Sequence, residues 1–301
     1  MVQPVLPAAR MTQNGTPMQT DVLTLPSSFT IPFPSPSRPL APSSYPSSYP
    51  SASPAGSSPL ARRIQSYWNL RAEGFGFVRR QELHSDKQAL WWAEIAPLLP
   101  EQDRPLRVLD VGTGAGFLAI LLARHKAQVS AVDSSQPMLE QAAALAAQEG
   151  CAIEFRQMEA DRLAYAEGSF DCVLARNVTW TLLHPAAAYA EWQRVLRPGG
   201  VLINFDADYG STDFTRLGDD REAHAHRDLA RDVLQEGENI RKKLPLSSLR
   251  RPEWDRQILQ ELGFEHCHCD TDLSARIFAV RDATWNPVPM FALSATKRRD
   301  C

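Results

Sequence analysis

The stretch that decides the fold is Val108-Leu109-Asp110-Val111-Gly112-Thr113-Gly114-Ala115-Gly116-Phe117. It begins as an apolar strand, turns through three closely spaced glycines, and continues into residues with helical composition. Glycine adopts positive φ without strain and lets a backbone approach a ligand closely. The stretch therefore predicts a strand, a turn and a helix, with a ligand bound at the turn.

Strands and helices alternate on both sides of this unit. Short apolar runs predict strands at Arg107–Val111, Gln128–Val132, Ala152–Arg156, Phe170–Ala175, Val201–Phe205, Phe264–Cys269 and Met290–Ala295. Longer runs predict helices at Gly116–His125, Gln136–Gln148, Pro185–Leu196 and Pro252–Leu262. Alternation of this kind is typical of parallel β-α-β units. We therefore predict an α/β fold with a doubly wound, mainly parallel seven-stranded sheet.

The composition divides the chain near residue 60. Thirteen of the 23 prolines fall in residues 1–60, where only Arg10, Asp21 and Arg38 carry charge. This segment lacks the periodic apolar residues that offset the entropy of ordering, so we expect a disordered tail. Residues 61–301 are expected to form one domain. Within it, 61–100 is a helical N-terminal segment and 207–250 is a helical insertion that contains a charged helix at Asp219–Lys243.

The overall charge and composition exclude several classes of protein. Lys and Arg number 32 against 35 Asp and Glu, a net charge of −3 that does not favour nucleic acid as a partner. No apolar run approaches the ~20 residues of a membrane helix. The five scattered cysteines do not form a disulfide pattern. We expect a soluble cytoplasmic protein, while a targeting role for the tail and the oligomeric state stay open.

The spacing of the three glycines separates two classes of ligand. A dinucleotide-binding loop follows Gly-x-Gly-x-x-Gly, in which the last glycine would stand at Phe117. Asp110, which precedes the turn, would repel a pyrophosphate but can orient an ammonium group through a bound water. These residues favour a cationic ligand over a diphosphate. A nicotinamide-dependent oxidoreductase is therefore the weaker alternative.

Acidic residues end the first three predicted strands or follow them. Asp133, at the end of the second strand, is placed to accept hydrogen bonds from both hydroxyls of a ribose. Met138 can pack against an adenine face, and Glu159 can accept a hydrogen bond from the exocyclic amine of adenine. Each acid alone can be a solvated loop carboxylate. Together with the glycine turn, they predict a nucleoside site.

This combination resembles the class I S-adenosylmethionine-dependent methyltransferases, in particular the ubiquinone/menaquinone-biosynthesis-like (type 11) group that acts on small molecules. The resemblance extends from Ile64 to Lys297 and depends on the glycine turn and on further segments. These segments are Tyr67–Ala72, Ala131–Ser134, Glu159–Leu163, Gly168–Asp171, Arg176–Leu182, Arg194–Gly200 and Arg250–Trp254. One departure is Glu159, where the family usually has Asp.

The resemblance implies S-adenosyl-L-methionine as the cofactor and a set of residues that bind it. These residues are Tyr67, Trp68, Arg71, Asp110, Gly112, Gly114, Gly116, Asp133, Ser134, Met138, Glu159, Ala160 and Asn177. It also implies that the N-terminal segment folds over the cofactor as a lid, with Arg71 near the cofactor carboxylate. The alternative for this segment is an amphipathic helix that packs on the edge of the sheet.

The expected reaction is an in-line displacement that moves the sulfonium methyl group to a small-molecule acceptor. A base is needed only if the acceptor must first lose a proton. His184 is the best candidate for a general base, because histidine ordinarily titrates near neutral pH, although a surface or helix-capping role is its main alternative. Asp206, after the fifth strand, is the second catalytic candidate.

Two further expectations concern a metal site and whether the protein is an enzyme. The run His266-Cys267-His268-Cys269 lies on a predicted strand, so alternate side chains point to opposite faces and we expect no metal site. A protein that binds the nucleoside without turnover, as a regulatory or assembly module, remains an alternative to an enzyme. Neither the acceptor nor the methylated atom follows from the sequence.

Overall fold

The structure is a computed structural model that describes residues 58–219 and 229–299. Its seven strands form one sheet in the order β3-β2-β1-β4-β5-β7-β6, and β7 is the antiparallel strand. The strands are β1 Arg107–Val111, β2 Gln128–Asp133, β3 Glu154–Gln157, β4 Phe170–Arg176, β5 Leu196–Ala207, β6 Phe264–Asp270 and β7 Met290–Lys297. The predicted doubly wound, mainly parallel sheet is confirmed.

The strand order reverses beside β1. The chain passes from β1 outward to β2 and β3, and then returns to place β4 against the other edge of β1. Helices that leave β1 and β4 therefore diverge, and a crevice opens between them at the carboxyl ends of the strands. Ligands of open α/β sheets bind in such a crevice.

Helices cover both faces of the sheet. They are α1 Pro59–Leu83, α2 Lys87–Ile95, α3 Phe117–Arg124, α4 Gln136–Gln148, α5 Pro185–Val195, α6 Arg231–Arg241, α7 Glu253–Glu261 and α8 Leu273–Ile277. Alternate residues of β1 point to opposite faces, so Val108 joins one apolar core and Leu109 the other. Trp91 of α2 is fully buried in the first core, and Trp192 of α5 is fully buried in the second.

Several element boundaries differ from the sequence expectation. Strand β5 begins at Leu196 rather than at Val201, because Leu196 pairs with Phe170 and a register shift follows before Cys172. Helix α1 begins at Pro59, where the Ser58 hydroxyl accepts a hydrogen bond from the Ala61 amide. The short helix α8 was not predicted.

Two sequence expectations fall partly or wholly outside the described residues. Only residues 58–60 of the predicted disordered tail are described, and they begin α1. Of the predicted charged helix at Asp219–Lys243, the structure describes α6, while residues 220–228 lie outside the description. In the described ranges, no helix is long and apolar enough to cross a membrane.

A buried carboxylate joins three elements at the end of the sheet opposite the crevice. Asp171 of β4 accepts two hydrogen bonds from the Arg104 guanidinium, at 2.7 and 2.8 Å, and one from the Arg107 amide at 2.8 Å. The Arg197 side chain of β5 donates a further bond at 2.6 Å. Burial by itself would raise the pKa of Asp171, but these donors lower it to about 2.

We expect Asp171→Asn to lower the free energy of unfolding by about 2 kcal/mol at neutral pH. The folded pKa lies below the unfolded value of 3.8, so the stabilisation is present above that value and is lost as the pH falls through about 2. Urea unfolding at neutral pH and at about pH 2.5 measures the difference, which should shrink in acid. Asp103→Asn, at an exposed neighbouring position, is the control. Equal unfolding free energies of Asp171→Asn and the native protein at neutral pH would contradict this account.

Candidate functional site

A cavity lies in the crevice beside β1, between the carboxyl ends of the parallel strands and helix α1. Most residues that the sequence predicts to bind the cofactor line it. They are Trp68, Asp110, Gly112, Gly114, Asp133, Ser134, Met138, Glu159, Ala160 and Asn177. Residues of α1, β1, β2, α4 and the loops that follow the strands thus meet at one place.

The glycine turn brings backbone to the cavity wall. Gly112 has φ +64°, and a Cβ at this position would lie 2.4 Å from the Cγ2 atom of Val178. Gly114 has φ +53°, and the space where its side chain would stand is open. The Thr113 amide donates to the Val132 carbonyl at 2.9 Å and so ties the turn to β2. The turn therefore needs glycine at Gly112 for packing and leaves room for a ligand at Gly114.

The carboxylate of Asp133 is held in place by two backbone amides. Its Oδ2 atom accepts from the Gly114 amide at 2.8 Å, and Oδ1 accepts from the Ser135 amide at 2.9 Å. Burial raises the pKa of Asp133, while these amides oppose that rise because they stabilise the charged form. A carboxyl oxygen has more than one acceptor site, so capacity remains for hydroxyl donors of a ligand.

Asp110 is the most strongly perturbed acid of the cavity. Its side chain is 1% exposed and accepts a hydrogen bond from the Thr113 hydroxyl at 2.6 Å. Burial raises the pKa of Asp110 to about 7, the Thr113 bond opposes the rise, and the nearby charge of Asp133 adds to it. A cationic group placed beside this carboxyl would lower the pKa again and favour the charged form.

The loop after β3 supplies the third acid. Glu159 is half-buried on the cavity wall, and burial raises its pKa, as does the neighbouring Asp161. The next residue, Ala160, uses its carbonyl to accept from the Trp192 indole at 2.8 Å, which anchors the loop to α5. Met138, on the first turn of α4, is 3% exposed and faces the same part of the cavity.

Helix α1 forms the opposite wall of the cavity with one face. The residues of this face recur at helical spacing and are Ala61, Ile64, Gln65, Trp68, Phe75 and Arg79. Gln65 donates to the Ser134 carbonyl at 3.0 Å, and the Trp68 indole donates to the Thr181 hydroxyl at 3.3 Å. The helix also packs on α4, where Gly76 lies against Gln141. The segment is thus a packed helix that lines the cavity, and its closure over a cofactor stays a prediction.

Three of the predicted cofactor residues do not line the cavity. Arg71 donates to the Tyr67 hydroxyl at 2.9 Å, and both side chains are buried on another face of α1. Gly116 caps α3 with φ +84°, and a Cβ there would lie 3.0 Å from the Cβ of Ala142. Gly116 therefore permits the close packing of α3 and α4.

The two catalytic candidates also lie away from the cavity wall. His184 is exposed at the N-cap of α5. Asp206 is fully buried, accepts from the Trp180 amide at 3.1 Å and from Arg251 at 3.2 Å, and contacts the Thr179 hydroxyl. Burial raises the pKa of Asp206, and Arg251 opposes that rise. This arrangement anchors the loop after β4, so a chemical role for either residue stays a prediction.

Sequence reasoning did not identify Gln65, Phe75 and Arg79 as cavity residues. Their helical spacing in the sequence could have identified them, because these three positions fall on the same face of α1 as Trp68. In the two described ranges, no cluster of three or more His, Cys, Asp or Glu side chains is arranged to hold a metal ion.

Comparison with known proteins defines the class. Residues 109–204 match the family model described as a methyltransferase domain. The uncharacterized methyltransferase YodH of Bacillus subtilis is 37% identical over 108 residues, which are 36% of this chain and 45% of that protein. A ubiquinone biosynthesis O-methyltransferase of Caulobacter sp. is 37% identical over 99 residues, which are 33% of this chain and 39% of that enzyme.

A solved structure extends the comparison of the fold. The crystal structure of the 4+2 cyclase SpnF aligns with a TM-score of 0.53 and 18% identity over 79% of this chain and 96% of that one. This likeness concerns the fold alone, and the cyclase shows that the fold also serves another reaction.

Residues 109–204 therefore match a methyltransferase domain, and the predicted resemblance is confirmed over this segment. S-adenosylmethionine, the cofactor expected from the sequence, agrees with this match. The chain spans less than half the length of the curated relatives that it matches, so the activity of the whole protein is a matter for proposal.

The raised pKa of Asp110 leads to a test by pH. The folded pKa of about 7 lies above the unfolded value of 3.8, so the folded state binds more protons between them and loses stability as the pH rises through that window. Asp110→Asn has no carboxyl to titrate and therefore does not lose this stability. We expect the difference in unfolding free energy, Asp110→Asn minus native, to increase by on the order of 2–4 kcal/mol from about pH 5 to about pH 8.

Denaturant unfolding at both pH values measures the effect. Glu140→Gln, at an exposed site on α4, should show no such pH dependence relative to the native protein. A constant difference between Asp110→Asn and the native protein at the two pH values would show that Asp110 does not titrate in this range.

Proposed function

We propose that this protein is an S-adenosylmethionine-dependent methyltransferase that transfers a methyl group to a small-molecule acceptor. The observation that carries the proposal is the position of the Asp133 carboxylate, which the Gly114 amide holds at 2.8 Å on the wall of a cavity that Glu159 also lines. When bound, the cofactor supplies an electrophilic methyl group on a sulfonium.

Residues on the cavity wall suit each of the three parts of this cofactor. We assign Asp133 to the ribose hydroxyls, and Met138 and Glu159 to the adenine ring and its amine. We assign Asp110, at the end of β1, and Asn177, in the loop after β4, to the amino-acid end, since all of these residues line the cavity. The open space at Gly114 gives the ligand room to approach the backbone. These assignments are part of the proposal.

Asn177 is fixed in an uncommon backbone conformation that supports its assignment. Its φ is +58°, in the left-handed region that non-glycine residues rarely adopt. Its Oδ1 atom accepts from the Tyr209 hydroxyl at 3.0 Å, and its carbonyl accepts from the Trp180 indole at 3.0 Å. Strained conformations of this kind cluster at functional sites. The contacts hold Asn177 toward the cavity before any ligand binds.

The reaction that suits this site is an in-line displacement. Holding donor and nucleophile in contact supplies on the order of 7–11 kcal/mol of the barrier reduction in well-oriented reactions. Helix α1 contributes by keeping water from the cavity with an apolar wall that includes Trp68 and Phe75. Because His184 and Asp206 lie off the described wall, the proposal does not require either as a general base.

The domain organisation belongs to the same proposal. Residues 61–301 form the methyltransferase unit, in which 61–100 contributes the wall formed by α1 and 207–250 contributes Tyr209, the partner of Asn177. A small-molecule acceptor is consistent with the relative named as a ubiquinone biosynthesis O-methyltransferase. The cytoplasmic location and the absence of a nucleic-acid partner stay predictions.

We expect Asp133→Ala to bind S-adenosylmethionine and S-adenosylhomocysteine at least tenfold more weakly, because it removes charge-assisted hydrogen bonds of roughly 1.5–3 kcal/mol. Isothermal titration calorimetry measures both affinities, with Glu140→Ala as the exposed-carboxylate control on α4. Unchanged affinity in a folded Asp133→Ala protein would remove the assignment of Asp133. Binding of NAD in place of the sulfonium cofactor would favour the oxidoreductase.

A second measurement separates an enzyme from a module that binds without turnover. The native protein is incubated with cofactor that carries a labelled methyl group and with a panel of small acceptors. Label transfer that depends on Asp133 supports the enzyme, whereas tight cofactor binding with no transfer to any acceptor supports the alternative.

A further inference from the structure

Two arginines share one buried carboxylate at the end of the cavity beside β4. Arg176, at the end of β4, donates to both oxygens of Glu82 at 2.8 and 3.0 Å, and Arg79 of α1 donates to the same carboxylate at 2.5 Å. The Trp91 indole donates a fourth bond at 2.8 Å. Glu82 is fully buried and its two oxygens are engaged by these four donors.

The guanidinium groups, in contrast, retain donors without acceptors. Both arginines line the cavity, and their side chains are 12% exposed at Arg79 and 7% exposed at Arg176. The Nε atom of each is buried and has no hydrogen-bond partner among the described residues. Burial lowers the pKa of Arg79 to about 10, so it remains cationic at neutral pH. Buried donors without acceptors are costly and call for a partner.

Charges of both signs line the cavity. The acids are Asp110, Asp133, Glu159 and Asp161, and at the end of β4 two guanidiniums share the single carboxylate of Glu82. The proposed cofactor has a net positive charge, because its sulfonium adds to a balanced carboxylate and ammonium. Its sulfonium and ammonium suit the acids. The excess positive charge of the two arginines over Glu82 suits an anion, and the second substrate can supply one.

Apolar side chains form much of the remaining cavity wall. Helix α1 contributes Ile64, Trp68 and Phe75, and Phe117 and Leu183 lie on the other walls. A substrate that reaches from the cofactor to the arginines must therefore carry its charge on an apolar body. The Arg176 guanidinium also lies over the Trp91 ring, with 4.1 Å between the guanidinium carbon and the ring centroid, and this contact helps Glu82 to hold it in place.

We propose that the acceptor is a carboxylic acid with an apolar, ring-sized body, and that Arg79 and Arg176 bind its carboxylate. This inference rests on the proposed methyltransferase function and names the substrate class of the same site. Arg79 binds Glu82 through Nη1 alone and keeps its Nε and Nη2 donors, a planar fork that matches a carboxylate. Arg176, which binds Glu82 through both Nη atoms, adds positive charge, and the two together favour an acid over a neutral analogue.

The probes for this inference are benzoate and its neutral isostere benzamide. Each is titrated by NMR into the full-length protein saturated with S-adenosylhomocysteine. We expect benzoate to bind at least about tenfold more tightly than benzamide, the size of a charge-assisted hydrogen-bond effect. This comparison needs no variant. Equal affinity of the two probes, or tighter binding of benzamide, overturns the inference.

Variants then assign the effect to the arginines. In Arg79→Met the ratio of the two affinities should fall to about threefold or less, and in Arg79→Lys it should be intermediate because the charge remains without the fork. Glu82 keeps Arg176 and Trp91 as partners in both variants. Arg80→Met is the matched control, since Arg80 is exposed and adjacent on α1. A ratio that is unchanged in folded Arg79→Met, or reduced equally in Arg80→Met, overturns the assignment.

A third comparison distinguishes the acceptor from the cofactor as the source of the carboxylate. S-adenosylhomocysteine and 5′-methylthioadenosine, which lacks the amino-acid end, are titrated into native and Arg79→Met protein. We expect less than about threefold change for both ligands. A tenfold loss confined to S-adenosylhomocysteine would place the cofactor carboxylate on the arginines and overturn the inference. Failure of the native protein to bind S-adenosylhomocysteine would instead contradict the proposed function itself.

Discussion

The close approach between the turn after β1 and the loop after β4 is the constraint on which the site depends. Gly112 leaves no room for a side chain, because Val178 occupies the position where its Cβ would stand. That contact joins the turn after β1 to the loop after β4 at the cavity wall. The Gly114 amide in this turn donates to Asp133, and Asp110 and Asn177 line the same cavity.

The positions of the charged residues around the cavity follow from the topology of the sheet. The acids end or follow strands that lie on one side of the switch point, while Arg176 ends β4 on the other side. Arg79 reaches the same place from α1, which runs across the crevice, and Glu82 holds the two guanidiniums together.

The loop after β4 is also stabilised by a buried polar network on the side away from the cavity. Asp206 and Asp255 flank Arg251, and Asp206 also accepts from the Trp180 amide. Breaking such a pair leaves an uncompensated buried charge, so these residues are expected to matter for the fold of the loop. Proximity to the end of a strand made Asp206 resemble a catalytic residue in the sequence, although its partners lie within the protein interior.

The sequence by itself determined the order of the strands and helices along the chain, the glycine turn, and the acids that end or follow the first three strands. These features depend on local pattern and on the rule that parallel strands present their carboxyl ends at one edge. Tertiary structure alone decided which face of α1 lines the cavity. It turned Arg79 inward and left Arg71 hydrogen-bonded to Tyr67, because packing against α4 at Gly76 sets the rotation of the helix. Helical spacing shows which residues share a face, but only the contacts of that face with the rest of the protein show where it points.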